Sequence, residues 1–175
     1  MIVKMTRFNM KDYNKPNESF VVSGRIIPTL ENNAWKYTEE QFSKPYFKKY
    51  DDDEIDVSYI EEGGKVVFLY YVENNCIGRI KIRSNWNGYA RIDDIAVAID
   101  HRKNGVGTAL LNKAIDWAKE NNSSGLMLET QDINVSACRF YAKNHFVIGG
   151  VVTMLYSNFS TVNEIAVFWY CKFKS

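Results

Sequence analysis

The chain has 175 residues, 46% of them hydrophobic and 25% charged, and its 22 Lys and Arg against 21 Asp and Glu leave a net charge of +1. That length suits one domain able to bury a sizeable core, and the composition is that of a folded globular protein rather than a disordered one. The near-zero charge carries no basic field of the kind that argues for a nucleic-acid partner, and no apolar run approaches the ~20 residues of a membrane span.

The first fifteen residues, MIVKMTRFNMKDYNK, lack the apolar core of a signal peptide. Cys76, Cys138 and Cys171 lie far apart with no C-x-x-C pair, so neither a zinc site nor a disulfide framework is signalled. A reducing, cytoplasmic setting is the expectation.

In chain order, residues 2–8 read as a short first strand. Residues 20–30 (FVVSGRIIPTL) and 35–46 (WKYTEEQFSKPY) read as extended or mixed, because Pro28 and Pro45 oppose long helices there. Residues 50–62 (YDDDEIDVSYIEE) hold seven acids, Asp51, Asp52, Asp53, Glu54, Asp56, Glu61 and Glu62, and no base. Such a run is either a solvated loop or an acidic lip for a polycationic substrate.

Residues 65–73 (KVVFLYYVE) and 76–83 (CIGRIKIR) read as two antiparallel strands joined at Asn74-Asn75, and Asn85-Trp86-Asn87-Gly88 leads into a further strand. That strand opens the stretch RIDDIAVAIDHRKNGVGTALLNKAIDWAK at residues 91–119. Ile92, Ile95, Val97 and Ile99 are branched, Asp100 and His101 end the run, and Val106, Leu110, Leu111, Ala114, Ile115 and Ala118 then recur at helical spacing. The order is strand, glycine loop, helix. The first turn of a helix presents unpartnered N–H groups at a locally positive end, and Gly105 and Gly107 clear side chains from the approach. Arg102 and Lys103 add charge, so the loop suits a pyrophosphate.

Which phosphate loop it is follows from what is missing. Val106-Gly107-Thr108 has no lysine where a Walker loop needs one, and Leu110 stands where a dinucleotide fingerprint needs a small residue. What remains is Arg-x-x-Gly-x-Gly at Arg102, Gly105 and Gly107. Beyond Ser123-Ser124-Gly125, Leu126 to Thr130 reads as a short buried strand, completing a right-handed parallel crossover. Asn134 caps a helix whose face carries Ala137, Phe140 and Tyr141, and residues 146–156 and 165–173 read as two aromatic-rich final strands.

Taken together, Ile95-Ala96-Val97, Arg102-x-x-Gly105-x-Gly107, Leu128-Glu129 and Asn134-x-x-Ala137-x-x-Phe140-Tyr141-x-x-x-x-Phe146 stand in an order that resembles the core of the GNAT acetyltransferase superfamily. The segments FVVSGRIIP, IDDIAVAIDHR, GLMLETQD, ACRFY and AVFWY are further similar to the streptothricin acetyltransferases within it. The resemblance implies an α/β (α+β) GNAT fold: a mixed, mostly antiparallel sheet splayed at its centre, with helices on both faces. It implies a single domain over residues 1–175, with a CoA-binding core at about 65–160. It also implies acetyl-CoA as co-substrate, no metal, and a small cationic amine as acceptor, namely the β-lysine arm of a streptothricin antibiotic. One departure stands out: His145 precedes Phe146 where the family has glycine, at a helix end that favours positive φ.

Residue by residue, the resemblance implies that the backbone of Ile95, Ala96 and Val97 pairs with the pantetheine amides, ordinary sheet pairing being the alternative. It places the pyrophosphate on Arg102, Lys103, Asn104, Gly105, Val106, Gly107 and Thr108, and a pantetheine contact on Asn134, which otherwise serves as a cap alone. Tyr141 is the candidate general acid, since a phenol of unperturbed pKa ~10 is protonated at neutral pH. Glu129 is the candidate base for an ammonium of pKa ~10.4, with Asp94 and Asp93 as rivals. Those two point to opposite faces of one strand, so at most one can face the cleft. Any of the three serves equally as a cation ligand.

Trp86, Tyr89, Tyr156, Phe159 and Trp169 are candidate aromatic walls for a cationic substrate, core packing being the stronger expectation for Trp169. His101 and His145 lack partners at metal-ligand spacing. Cys138 reads as a core residue, because direct transfer needs no thiol nucleophile. The rival functions are acetylation of a protein N-terminus, a lysine or a polyamine, and a non-catalytic acyl-CoA sensor. A homodimer formed through the aromatic C-terminal strands is compatible with the pattern, and neither nucleic acid nor membrane is an expected partner.

Overall fold

Two pairs of residues with positive φ turn the two long hairpins of this chain. In the computed structural model, which describes residues 1–161 and 163–174, β2 (Phe20–Glu31) and β3 (Ala34–Lys48) are joined by Asn32 (φ 49°) and Asn33 (φ 61°). β4 (Lys65–Val72) and β5 (Asn75–Ser84) are joined by Glu73 (φ 48°) and Asn74 (φ 68°). Both are two-residue loops with left-handed central residues, whose twist matches that of the flanking strands. The second turn lies one residue before the expected Asn74-Asn75, because Val72 pairs with Asn75. β3 runs unbroken through Pro45. In a two-stranded ribbon each strand keeps an open edge, where proline removes no ladder donor.

The other elements are β1 (Ile2–Lys4), α1 (Ser58–Glu61), β6 (Ala90–Val97), α2 (Val106–Glu120), β7 (Gly125–Gln131), α3 (Val135–Lys143), β8 (Val147–Val152) and β9 (Ala166–Lys172). β1 ends at Lys4 rather than Phe8, because Asn9 folds back: its side chain accepts from the Thr6 amide at 2.7 Å. Ile99 leaves the β6 ladder for a 3-10 turn, Ile99–His101.

The chain forms two compact units, residues 1–20 with 49–126 and residues 21–48 with 127 onward. In the first, the strand order is β1-β4-β5-β6, antiparallel throughout. Ile80 and Ile82 of β5 and Leu110, Leu111, Ala114 and Ala118 of α2 are buried on one face. Gly78 permits that approach, since a Cβ there would stand 3.1 Å from both Leu110 Cδ1 and Val106 Cγ1. On the other face Val67, Leu69 and Cys76 pack with Met5, Tyr13 and Tyr59. This sheet is covered on both sides, as the alternation along β4 requires.

In the second unit the order is β7-β9-β8, with β8 and β9 antiparallel, beside the β2–β3 ribbon. Val22, Ile26, Leu128, Cys138, Tyr141, Phe146, Val167 and Trp169 are buried. Asp132 ties β2 in place: its backbone oxygen accepts from the Ile26 amide at 2.9 Å, and its Oδ2 stands 3.2 Å from Arg25 Nε.

Candidate active site

The glycine loop is built as its composition demands. β6 ends at Val97, the 3-10 turn follows, Arg102 is extended (φ −67°, ψ 152°), and Lys103 (φ 64°) and Gly105 (φ 82°) are left-handed. Gly105 is the N-cap of α2 and offers no side-chain acceptor, and the first turn of α2 holds no acidic residue. Amides at a helix start lack intrahelical partners, and the peptide dipoles make that end locally positive. A Cβ on Gly105 would meet nothing within 4 Å, so backbone conformation, and not crowding, calls for glycine there.

Arg102, expected to add charge for the pyrophosphate, is engaged with backbone carbonyls. Its Nε donates to the Val97 carbonyl at 2.8 Å, Nη1 to the Ser19 carbonyl at 2.8 Å, and Nη2 to the Glu18 carbonyl at 3.3 Å. The Glu18 carboxylate in turn accepts from the Ile99 amide. Burial weighs against the charge of Arg102 and lowers its pKa, partly offset by Glu18. Lys103 is exposed. Nothing in the local sequence signals Glu18 and Ser19, which lie more than eighty residues earlier.

Asp93 and Asp94 do not divide between faces. Lys81 pairs with Asp94 and Ile82 with Ile92, so Asp93 is the extra residue of a β-bulge, which resets the alternation. Both carboxylates meet the cations of one face of β5. Arg79 Nε donates to Asp94 at 2.6 Å, while Arg83 Nε donates to Asp93 at 3.1 Å and Arg91 Nε stands 3.2 Å from it. Tyr59 adds its hydroxyl to Asp93 at 2.6 Å. Arg79 is 2% exposed and lies over the Tyr13 ring at 4.2 Å. The phenols of Tyr13 and Tyr59 are pushed well above their ordinary range, first by burial and then chiefly by Asp94 and Asp93 respectively.

The acidic run lies against the N-terminal segment. Asn17 Nδ2 donates to Asp52 at 2.7 Å, the Tyr13 hydroxyl donates to Asp53 at 3.1 Å, and Asp56 Oδ1 accepts from the Ser58 amide at 2.9 Å. Asp51 and Glu54 face solvent. Trp86 is 94% exposed on the turn that precedes β6, and Tyr89 beside it is half-buried.

In the second unit the Tyr156 hydroxyl donates to Glu129 Oε1. Asn134 caps α3 by accepting from the Ala137 amide at 3.2 Å. Tyr141, 5% exposed, stands among the rings of Phe140, Phe146 and Trp169 at 5.3, 5.5 and 6.3 Å. Trp169 is a core residue, its indole N–H donating to Thr130 Oγ1 at 3.0 Å. Cys138 is also in the core, and burial pushes its thiol up to about 12, which leaves no thiolate at neutral pH. His145 adopts φ 66°, so the helix end keeps the left-handed geometry despite the missing glycine. Phe159 is 64% exposed.

Residues 27–146 match the acetyltransferase (GNAT) family. The chain is 76% identical over 173 residues to Streptothricin acetyltransferase A of Bacillus subtilis (strain 168), covering 99% of this chain and 100% of that one. It is 37% identical over 153 residues to Streptothricin acetyltransferase of Escherichia coli, covering 86% and 84%. A crystal structure from Bacillus anthracis str. Ames, assigned as a streptothricin acetyltransferase in complex with acetyl coenzyme A, superposes with a TM-score of 0.92 at 36% identity over 99% of each chain. A nourseothricin acetyltransferase, at 22% identity and a TM-score of 0.84 over 98% and 97%, shares the fold. With its glycine loop opening α2 and its sheet order, the chain has the GNAT fold and belongs to the GNAT acetyltransferase family.

Proposed function

We propose that this chain transfers the acetyl group of acetyl-CoA directly to an amine of a streptothricin-type antibiotic, on its β-lysine arm. The observation that carries the reading is the 76% identity, over 99% of this chain, to Streptothricin acetyltransferase A of Bacillus subtilis. The left-handed, uncapped start of α2 fits the pyrophosphate of the co-substrate.

The loop from Lys103 to Thr108 holds the pyrophosphate through backbone N–H groups, with Lys103 supplying charge. Ile95 to Val97 offers backbone donors and acceptors to the pantetheine amides. The Val97 oxygen has a second lone pair beside the one given to Arg102. Acetyl-CoA supplies the activated thioester, and the chain orients it and moves the protons. Glu129 takes the ammonium proton, directly or through water, and so frees the lone pair that attacks the carbonyl. The ion pairs of Asp94 with Arg79 and of Asp93 with Arg83 favour Glu129 over those two as base. Tyr141 gives its proton to the sulfur as the new carbon–nitrogen bond forms and the carbon–sulfur bond breaks, and the proton that the acylated nitrogen then sheds restores the phenol. Trp86, Tyr89 and Phe159 present rings to the cationic antibiotic, while the charge of Asp93 is met by Arg83 and Arg91. The product amide is neutral, so the drug loses a positive charge.

The cytoplasm is the compartment that fits, since the three cysteines are free thiols. The test is thiol release from acetyl-CoA with streptothricin, beside spermidine and a basic peptide. Release with streptothricin alone is the expected result. Release only with the other amines would redirect the substrate assignment, and CoA binding without any release would make the chain a sensor.

A further inference from the structure

We infer that Arg102 is a positioning residue that, with Glu18 and Ser19, braces the phosphate loop from behind, and is not itself a ligand of the pyrophosphate. The inference rests on the proposal that this loop takes the pyrophosphate.

A guanidinium carries five donors in a rigid planar fork. Here three nitrogens are directed at backbone carbonyls: Val97 at 2.8 Å, Ser19 at 2.8 Å and Glu18 at 3.3 Å. The bond to Val97, five residues back, closes a ring around the 3-10 turn. The bonds to Ser19 and Glu18 fasten that ring to the N-terminal segment. The segment holds the turn in return, through the Glu18 carboxylate on the Ile99 amide. Between these two ties lies the whole path from the end of β6 to the start of the loop.

The loop needs such support. Lys103 is left-handed at φ 64° although it carries a side chain, a strained conformation that persists only where the surroundings over-determine it. Arg102 is extended and half-buried next to it. Holding Arg102 fixes where Lys103 must turn, and with it the direction in which the amides of residues 105–108 point. Lys103 is exposed, and the helix end is free of acid, so the loop has its attraction for phosphate without Arg102. Lysine cannot replace this brace, because one ammonium on a flexible stem does not span three carbonyls.

The experiment compares Arg102→Lys, Arg102→Ala and Lys103→Gln in the full chain, using acetyl-CoA and S-acetylpantetheine, a thioester with no pyrophosphate. Both Arg102 variants should raise the KM for acetyl-CoA by about tenfold and to a similar degree, with kcat at saturation within about threefold of wild type. Their kcat/KM with S-acetylpantetheine should fall by less than that with acetyl-CoA, about threefold, because Arg102 also holds the Val97 carbonyl beside the pantetheine arm. The salt dependence of the acetyl-CoA KM should be unchanged in both Arg102 variants and weaker in Lys103→Gln. A wild-type KM in Arg102→Lys, or a weaker salt dependence in Arg102→Ala, would make Arg102 a phosphate ligand and overturn the brace. An equal loss with S-acetylpantetheine would reduce Arg102 to general folding and also overturn it. If instead Lys103→Gln and Gly105→Val both leave the acetyl-CoA KM untouched, the loop is not the pyrophosphate site and the underlying assignment fails with it.

Discussion

The hydroxyl of Tyr156 donates a hydrogen bond to Oε1 of Glu129, 27 residues earlier in the chain. A carboxylate that must collect a proton from an amine benefits from a fixed orientation, and a phenol is a rigid donor for that purpose. Glu129→Gln should lower kcat/KM by about 10²- to 10³-fold, the usual scale for a lost general base. Tyr156→Phe should cost only about three- to tenfold and leave the acetyl-CoA KM unchanged. Steady-state kinetics on both variants checks this, and a larger loss in Tyr156→Phe than in Glu129→Gln would reverse the roles.

Tyr141 lies in a cluster of aromatic rings, so removing only its hydroxyl preserves the packing. Tyr141→Phe should bind CoA as wild type does and turn over about 10²-fold more slowly, whereas Tyr141→Ala should lose about 3–5 kcal/mol of stability through the cavity it leaves. Calorimetric CoA titration beside kinetics separates the two effects. Normal turnover in the phenylalanine variant would remove Tyr141 as the acid.

Gly78 sets the distance between β5 and α2. In Gly78→Ala the new methyl stands 3.1 Å from the tips of Leu110 and Val106, which can yield only slightly. The expected cost is about 1 kcal/mol, or a Tm about 3 °C lower. Because Val106 follows Gly105 directly, the acetyl-CoA KM should rise in the same variant. An unchanged Tm would show that the helix has room to move.

His145 holds a left-handed position with φ 66°. His145→Gly removes strain of about 1–2 kcal/mol but returns roughly 0.5–1 kcal/mol as added freedom of the unfolded chain. A gain of about 0.5 kcal/mol with unaltered kinetics is the expected result of denaturant unfolding. A loss of stability would mean that the imidazole makes its own contribution.

Asp12 is held below the usual carboxylate range, first by the hydrogen bond from Lys15 and then by that from the Tyr71 hydroxyl, against the opposing effect of burial. The two contacts are 2.6 Å and 2.7 Å long. A carboxyl with a depressed folded pKa stabilises the fold above its unfolded value of ~3.9, and that contribution disappears as pH falls through the folded value. Asp12→Asn should therefore melt below wild type at pH 7, and the two Tm curves should converge toward pH ~2. A gap independent of pH would assign the loss to packing.

The elements that the sequence alone determined are those governed by neighbours in the chain. Helical spacing marked the buried face of α2, Asn134 the start of α3, and Pro28 and Pro45 kept residues 20–30 and 35–46 out of long helices, where the structure has β2 and β3. These follow from backbone preference and local periodicity, which act within a few residues. The order of the motifs along the chain likewise carries the family resemblance.

The tertiary structure decided what each polar side chain binds. Arg102 reads as phosphate charge, and only the fold brings to it the Glu18 and Ser19 carbonyls, from more than eighty residues away, which accept from its guanidinium. Asp93 and Asp94 read as opposed until one extra residue in β6 turns both toward Arg79 and Arg83. The acidic run stays solvated, residues 51–54 and 56 being exposed, and the fold adds what the sequence does not show: Asn17 and Tyr13 bind Asp52 and Asp53, and the Tyr156 hydroxyl meets Glu129. A hydrogen bond depends on a few ångströms and a direction, and chain folding, not sequence separation, sets both.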